Sequence, residues 1–316
     1  MATRTLESSP SILPLYARAA APMIPGASLL PFVPGGGGEI PELDLTLAGV
    51  VADPADVAAY AKVCGFPLRD SLPATYPHVL AFPLHMAVMA DGGFPFGAVG
   101  LVHVENRIEQ HRRIGSGEEL TIRVRPSKLA PHAKGKTFSL LTEVTASDEL
   151  VWESTSTMLR RGKSNTSSDS PKPHQVSGPP TGKSDAVRED DLKASAEWKL
   201  DGGLGRSYAS VSGDRNPIHM HSLTAKPLGF PGAIAHGMWT KARCLAALDS
   251  RLPDAFAVDV RFRKPILLPA RVEFASATEG EEIAFAVRDA KRQTPHLDGR
   301  VAPLEPNSKA KSGRTK

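Results

Sequence analysis

An Asp, an Asn and two His fall within eight positions at 214–221, inside the stretch "YASVSGDRNPIHMH" (208–221). A carboxylate and an imidazole held at hydrogen-bond range can orient a water molecule and exchange protons with it near neutral pH. The spacing suits that task. Gly213 allows backbone angles that other residues avoid, so the chain can turn sharply after the segment carrying Tyr208. Pro217 fixes its own φ and drives Asn216 towards an extended conformation. Asp214 and His219 flank this rigid turn, which can aim both side chains at one point. Asn216 can add a neutral hydrogen bond that fixes the geometry, while Tyr208 packs on its helix or offers a hydroxyl.

A second element follows in "AIAHGM" (233–238). Gly237 sits where a buried helix is expected to begin. The first turn of a helix presents unpaired N–H groups and positive dipole character. Without a side chain at Gly237, a carbonyl oxygen can approach the backbone closely, as in an oxyanion hole. Close helix packing is the competing reason for that glycine. His236 is either part of the site or a structural hydrogen-bonding residue. His219 and His221 form an H-x-H pair that could face one side of a strand and take zinc together with Asp214. No further ligand cluster accompanies them and Asn-Pro has no place in that reading, so no metal and no other cofactor is expected.

The positioning elements can be read outward from this stretch. Residues 163–188, rich in Ser, Pro and Gly, cannot bury enough surface to order themselves and read as a linker. They divide the chain into an N-terminal half (1–162) and a C-terminal half (189–305), with a basic tail at 306–316. The halves echo one another. "YAKVCGF" (60–66) parallels "YASVSGD" (208–214), and "VHVENR" (102–107) parallels "VDVRFR" (258–263), in the same order. Such ordered matches indicate an internal duplication.

Each half reads as helix first, then strands. In the first, "LDLTLAGV" (43–50) alternates as a strand. Asp53-Pro54 then supplies an N-cap and a first-turn proline for the helix "ADVAAYAKVCG". An apolar helix is expected around 79–90, with strands at 99–109, 118–126, 136–147 and 149–161. The second half repeats the plan: a helix ending near Ser212, a buried helix at about 236–249, and strands near 256–264, 270–277 and 282–288. One apolar helix followed by a run of antiparallel strands implies an α+β fold, with the sheet wrapped over the helix.

At this point "YASVSGDRNPIH" followed by "GFPGAIAHGM" resembles the signature of the MaoC-like, (R)-specific enoyl-thioester hydratases, which have the hot-dog fold. "VRFRKPILLPARV" (260–272) is similar to the family's next strand. The first half looks like the degenerate half of the family's double hot-dog members, on "TYPHVLAFPLHM" and "GLVHVENRIEQHRRI". The resemblance implies that Asp214 and His219 hold the water added to, or expelled from, a trans-2-enoyl thioester, that Asn216 supports them, and that the Gly237 N–H meets the thioester oxygen. It further implies an acyl-CoA or acyl-carrier-protein thioester substrate and fatty-acid-type metabolism. Superposing the echoes puts Phe66, Leu68 and Ser71 where Asp214, Asn216 and His219 stand, so the first half has lost the polar groups of the site and gives room to an acyl chain. A thioesterase on the same fold, or a non-catalytic acyl-thioester-binding subunit, are the alternatives.

Charge and composition exclude other classes. Four of the 38 Lys and Arg residues lie in 306–316, and the remainder balance the 34 Asp and Glu. Net charge therefore supports no nucleic-acid face. Cys64 and Cys244 stand far apart in apolar surroundings, which points to a reducing, cytoplasmic setting rather than a disulfide framework. No apolar run is long enough for a membrane span. The N-terminal segment lacks the order of a secretory signal and is expected to cap the fold. Gly35–Gly38 reads as a loop and not a dinucleotide site. His103, His111 and His132 have no partner pattern and are expected to be structural. The duplicated chain could stand alone or form a homodimer.

Overall fold

The computed structural model describes residues 2–20, 38–162 and 192–304. The expected linker (163–188), the basic tail and most of the Gly35–Gly38 run lie outside them. The first half runs β1 (Ala2–Leu6), α1 (Ile12–Ala20), β2 (Leu43–Val50), α2 (Pro54–Cys64), α3 (Tyr76–Met89), β3 (Val102–Gln110), β4 (Leu120–Pro126), β5 (Ala130–His132), β6 (Gly135–Ala146) and β7 (Glu149–Arg161). The second runs β8 (Ala194–Leu200), α4 (Leu204–Ser212), α5 (Pro217–Met220), α6 (Ser222–Ala225), α7 (Gly237–Leu248), β9 (Phe256–Phe262), β10 (Ala270–Glu279), β11 (Glu282–Asp289) and β12 (Pro295–Pro303).

Local chemistry accounts for the shared start of the two halves. Asp53 caps α2, its carboxylate accepting from the Ala55 N–H at 2.7 Å, with Pro54 in the first turn. Helices α2 and α4 both end on a glycine in the left-handed region, Gly65 at φ 82° and Gly213 at φ 75°. Their backbone N–H groups close onto Ala61 and Ala209, the corresponding carbonyls. Tyr60 of α2 and Tyr208 of α4 meet across the molecule with ring centroids 6.1 Å apart.

The strands form one sheet in the order β1-β2-β4-β6-β7-β3-β9-β12-β11-β10-β8, with β5 alongside β6. Read inward from each end, β2-β4-β6-β7-β3 and β8-β10-β11-β12-β9 have the same connectivity, so the duplication seen as sequence echoes is a repeated fold. The copies join where β3 and β9 pair antiparallel, from Glu105 opposite Arg261 to Gln110 opposite Phe256. Within each copy the sheet wraps an apolar helix. Ala81, Leu84 and Val88 of α3, and Ala242, Leu245 and Leu248 of α7, are fully buried in a common core.

A polar network crosses the seam. Lys241 of α7 is fully buried, and its ammonium donates to the Asn106 side-chain oxygen (2.6 Å), the Asn106 carbonyl (3.2 Å) and the Val258 carbonyl (3.1 Å). Burial pushes the Lys241 pKa well down, but three accepting oxygens match the three N–H bonds of a charged ammonium. The Asn106 amide nitrogen donates onward to the hydroxyls of Ser154 and Ser156. One helix of the second half is thus tied to strands of both halves.

Several expectations move. The helix expected at 79–90 starts at Tyr76, because Pro77 is a first-turn residue rather than a breaker. The strand expected from 99 starts at Val102, after a turn in which Gly100 has φ 85°. Strands β8 and β12 were not expected at all. β12 contains Gly299, where a side chain would collide with the Phe285 ring, so a packing glycine interrupts the strand pattern. The N-terminal segment adds β1 parallel to β2 and lays α1 on α3. No described helix is long and apolar enough to cross a membrane.

Candidate active site

The turn after α4 is built as its residue types dictate. Gly213 meets a backbone requirement. Its φ is positive, and an added Cβ would lie 2.6 Å from the Ile12 side chain. Asp214 follows. Asn216 caps α5, its side-chain oxygen accepting from the Ile218 N–H at 3.4 Å, and Pro217 opens the helix. That places His219 one turn later, buried, with the α4 residue Gly205 directly behind it. A Cβ on Gly205 would overlap the His219 carbonyl oxygen.

Hydrogen bonds fix the tautomers. His219 Nδ1 lies 2.8 Å from the Ile234 carbonyl, which can only accept, so Nδ1 carries the proton and Nε2 holds a free lone pair. His236 occupies the N-cap position of α7 without a side-chain bond to the helix, and its Nε2 donates to the Asp214 carbonyl at 3.0 Å. This leaves His236 Nδ1 buried with no partner among the described residues. The two imidazoles stack, with centroids 3.6 Å apart and planes 26° from parallel, and Tyr208 packs on His236 at 4.8 Å.

The Asp214 carboxylate accepts from the Asn216 N–H at 3.1 Å and from the Tyr16 hydroxyl at 2.9 Å. Burial tends to raise its pKa. The neighbouring His236 and His219 rings and these two donors outweigh burial and hold the carboxyl below its ordinary value. Burial lowers His219, against the opposing pull of Asp214, and lowers His236 to about 3. Near neutral pH the site therefore holds an ionised carboxylate beside two neutral imidazoles. One carboxylate oxygen of Asp214 and one ring nitrogen each of His219 and His236 lie within 4.8 Å of one another. One water making two bonds of about 2.8 Å spans such a gap.

These groups open onto a cavity of about 980 Å³. Asp214, Asn216, His219, His236, Gly237 and Tyr208 all line it, while Gly213 supports the turn from behind. Gly237 has a packing reason to lack a side chain, since a Cβ would lie 3.0 Å from the Phe262 ring. Its N–H is also one of the first-turn donors of α7 that have no partner within a helix. At the matching turn of the first half, Phe66 and Ser71 line a cavity of only about 30 Å³.

Three expectations need correction. His221 does not share a strand face with His219. His219 lies in the short helix α5, whereas His221 stands between α5 and α6 as the N-cap of α6, accepting from the Leu223 N–H at 3.3 Å. The imidazole beside His219 is that of His236. His103 and His132, expected to be structural, line the cavity, together with His78 and His85 of α3. His111 pairs with Glu153 at 3.0 Å outside the cavity. Tyr16 was missed, because nothing in its local sequence links it to a carboxylate 198 residues away.

A tandem of two sheet-wrapped helices with one equipped turn is a double hot-dog protein. A Mycobacterium tuberculosis protein described as having a double hot-dog fold superposes with a TM-score of 0.52 at 14% identity, covering 80% of this chain and 93% of that one. Residues 186–299 match the model of the MaoC like domain. The chain is 37% identical over 278 residues to the 3-hydroxyacyl-thioester dehydratase X of M. tuberculosis, covering 88% of this chain and 95% of the relative. A crystal structure of that dehydratase superposes with a TM-score of 0.71 at 34% identity, covering 83% of this chain and all of the other. The chain belongs to the MaoC-like dehydratase family.

Proposed function

We propose that this protein reversibly adds water across trans-2-enoyl thioesters to give (R)-3-hydroxyacyl thioesters, in fatty-acid-type metabolism. The observation that carries this reading is the pairing of an ionised Asp214 with a His219 whose only free nitrogen, Nε2, is a lone-pair base. Asp214 and His219 hold the water between them. Its oxygen bonds to C3, the C2=C3 electron pair shifts towards C2 and the thioester oxygen, and one water proton passes to the pair. A proton is then delivered from the same pair to C2, so none is gained or lost overall. The thioester oxygen carries negative charge during this step, and the first-turn N–H of Gly237 and the α7 dipole are suited to stabilise it. Tyr16 positions Asp214, and Asn216 holds the turn. The reverse sequence is dehydration.

The site needs a thioester carrier outside the cavity. Exposed Lys128, Lys134, Arg161, Arg261 and Lys264 border the opening and suit the phosphates of CoA or a phosphopantetheine arm. Cys64 and Cys244 are free and buried, in keeping with a reducing cytoplasmic setting. A thioesterase on this fold would be expected to place an acid on the central helix, and α7 has none.

The test follows loss of the conjugated enoyl absorbance on mixing the protein with trans-2-enoyl-CoA of graded chain length, with chiral analysis of the product. Asp214→Asn and His219→Ala each should cut turnover at least about a hundredfold while the fold is retained. Near-normal turnover in either variant rejects the assignment.

A further inference from the structure

The half that lost its catalytic turn has not lost all its polar groups. His78 and His85 stand seven residues apart on α3, two turns along one helix face. His103 on β3 completes the group. The His78 ring lies 5.0 Å from His85 and 6.2 Å from His103, and His103 packs at 5.0 Å on Phe262, the ring against Gly237. All three imidazoles line the same cavity as Asp214 and His219. A pocket meant only for an alkyl tail gains nothing from such a wall.

Their hydrogen bonding is incomplete. His85 Nε2 is satisfied by the Thr142 hydroxyl at 2.8 Å. His78 Nδ1 and His103 Nε2 are buried and have no partner among the described residues. Those two atoms have no accessible surface, but both residues are only part-buried and line the cavity, so the rest of each ring is open to a ligand that brings a polar atom to it. Burial holds His78 near pKa 4 and His103 near 3, so both rings are neutral at physiological pH. A neutral imidazole offers one donor and one acceptor, which matches a hydroxyl or a carbonyl better than an anion.

We infer that His78 and His103 form a subsite for a hydroxyl or carbonyl oxygen on the acyl chain beyond its reacting carbons, so that the protein takes oxygenated enoyl thioesters in preference to plain alkyl ones. This rests on the enoyl-thioester reading above. The subsite is separated from Gly237 by the Phe262 ring, which places the oxygen a few carbons past C3.

The experiment compares medium-chain trans-2-enoyl-CoA substrates bearing one hydroxyl or keto oxygen at C5, C7 or C9 with the unsubstituted chain of equal length. The expected result is a kcat/KM at least about tenfold higher for one oxygenated substrate, since sites built to bond a polar group reject the analogue lacking it. In His78→Leu and in His103→Leu that ratio should fall towards one, whereas His103→Gln, which keeps a donor and an acceptor, should retain part of it. Because each ratio is taken within one variant, a general loss of activity or of folded protein cancels. A wild-type ratio at or below one, or a ratio that survives both leucine substitutions, overturns the inference. The same comparison with saturated acyl-CoA pairs, read as a ratio of Kd values, needs no turnover. It decides the inference separately if the protein hydrates no enoyl substrate, a result that would reject the proposed reaction.

Discussion

Replacing Tyr16 by Phe removes a single oxygen and leaves the ring packing of α1 in place. The lost bond is the 2.9 Å hydrogen bond to the Asp214 carboxylate. Hydrogen bonds to charged groups contribute about 1.5–3 kcal/mol. The low end applies, because Asp214 keeps the Asn216 N–H and its side chain remains 29% exposed. About 1.4 kcal/mol is a factor of ten, so kcat/KM should fall roughly tenfold, well short of the loss expected for Asp214→Asn. The pH profile should also change in a defined direction. Tyr16 is one of the groups that lower the Asp214 pKa, and burial and the Asp214 charge keep its own hydroxyl protonated far above the usual range. Without it the carboxylate protonates more readily, so the acid limb of kcat/KM moves to higher pH. The assay is the initial rate of enoyl-CoA hydration across that limb. Wild-type rates with an unmoved limb would refute the positioning role. A loss as deep as that of Asp214→Asn with an unmoved limb would refute it too, and would make Tyr16 a reacting group.

Other outcomes follow from the same geometry. Gly205→Ala forces α4 away from the His219 carbonyl, and displacing a reacting group by about 1 Å costs on the order of a hundredfold in kcat. Turnover near wild type in a folded variant would contradict this. Lys241→Met strips a donor from three buried oxygens at the β3–β9 seam and should destabilise by about 1–3 kcal/mol, read by urea unfolding; a change below about 1 kcal/mol would show that the network is dispensable. Acid should destabilise the fold early. His85 and His236 are buried and have pKa values held well below the ordinary 6.5, so below that pH protons bind the unfolded chain first. Stability present above pH 6.5 is then lost as pH falls towards the folded values, by about 1.4 kcal/mol per pH unit for each such group. Urea midpoints that stay flat from pH 7 to 5 would count against it.

The site's turn was legible in the sequence because its chemistry is local. A left-handed glycine, an Asn cap and a first-turn Pro dictate the path between Asp214 and His219 with little help from the rest of the chain. The repeat was legible for the same reason, since both copies end a Tyr-bearing helix on glycine. Tyr16 was not legible, because only tertiary packing of α1 on α3 brings it to Asp214. The place of His103 at the cavity was not legible, because a strand pattern tells which residues share a face, not whether that face borders a core or a cavity. His221 was misread as a strand neighbour of His219 because the short helices α5 and α6 carry too few residues to show a period. β12 was hidden by Gly299, whose missing side chain answers Phe285 of the adjacent strand.

The β3–β9 seam joins two copies that are no longer bound to be alike. In a pair of identical chains, every substitution appears twice, so a residue changed to shape the binding wall is also imposed beside each catalytic turn. On the proposed reading, the two roles are written in different stretches of one chain. The first half sets Phe66 beside a cavity of only about 30 Å³ at its own turn, and its His78 and His103 line the larger cavity that Asp214 and His219 also line. Breaking the symmetry lets selectivity and chemistry vary independently, and covalent linkage keeps them at a fixed one-to-one ratio whatever the protein concentration.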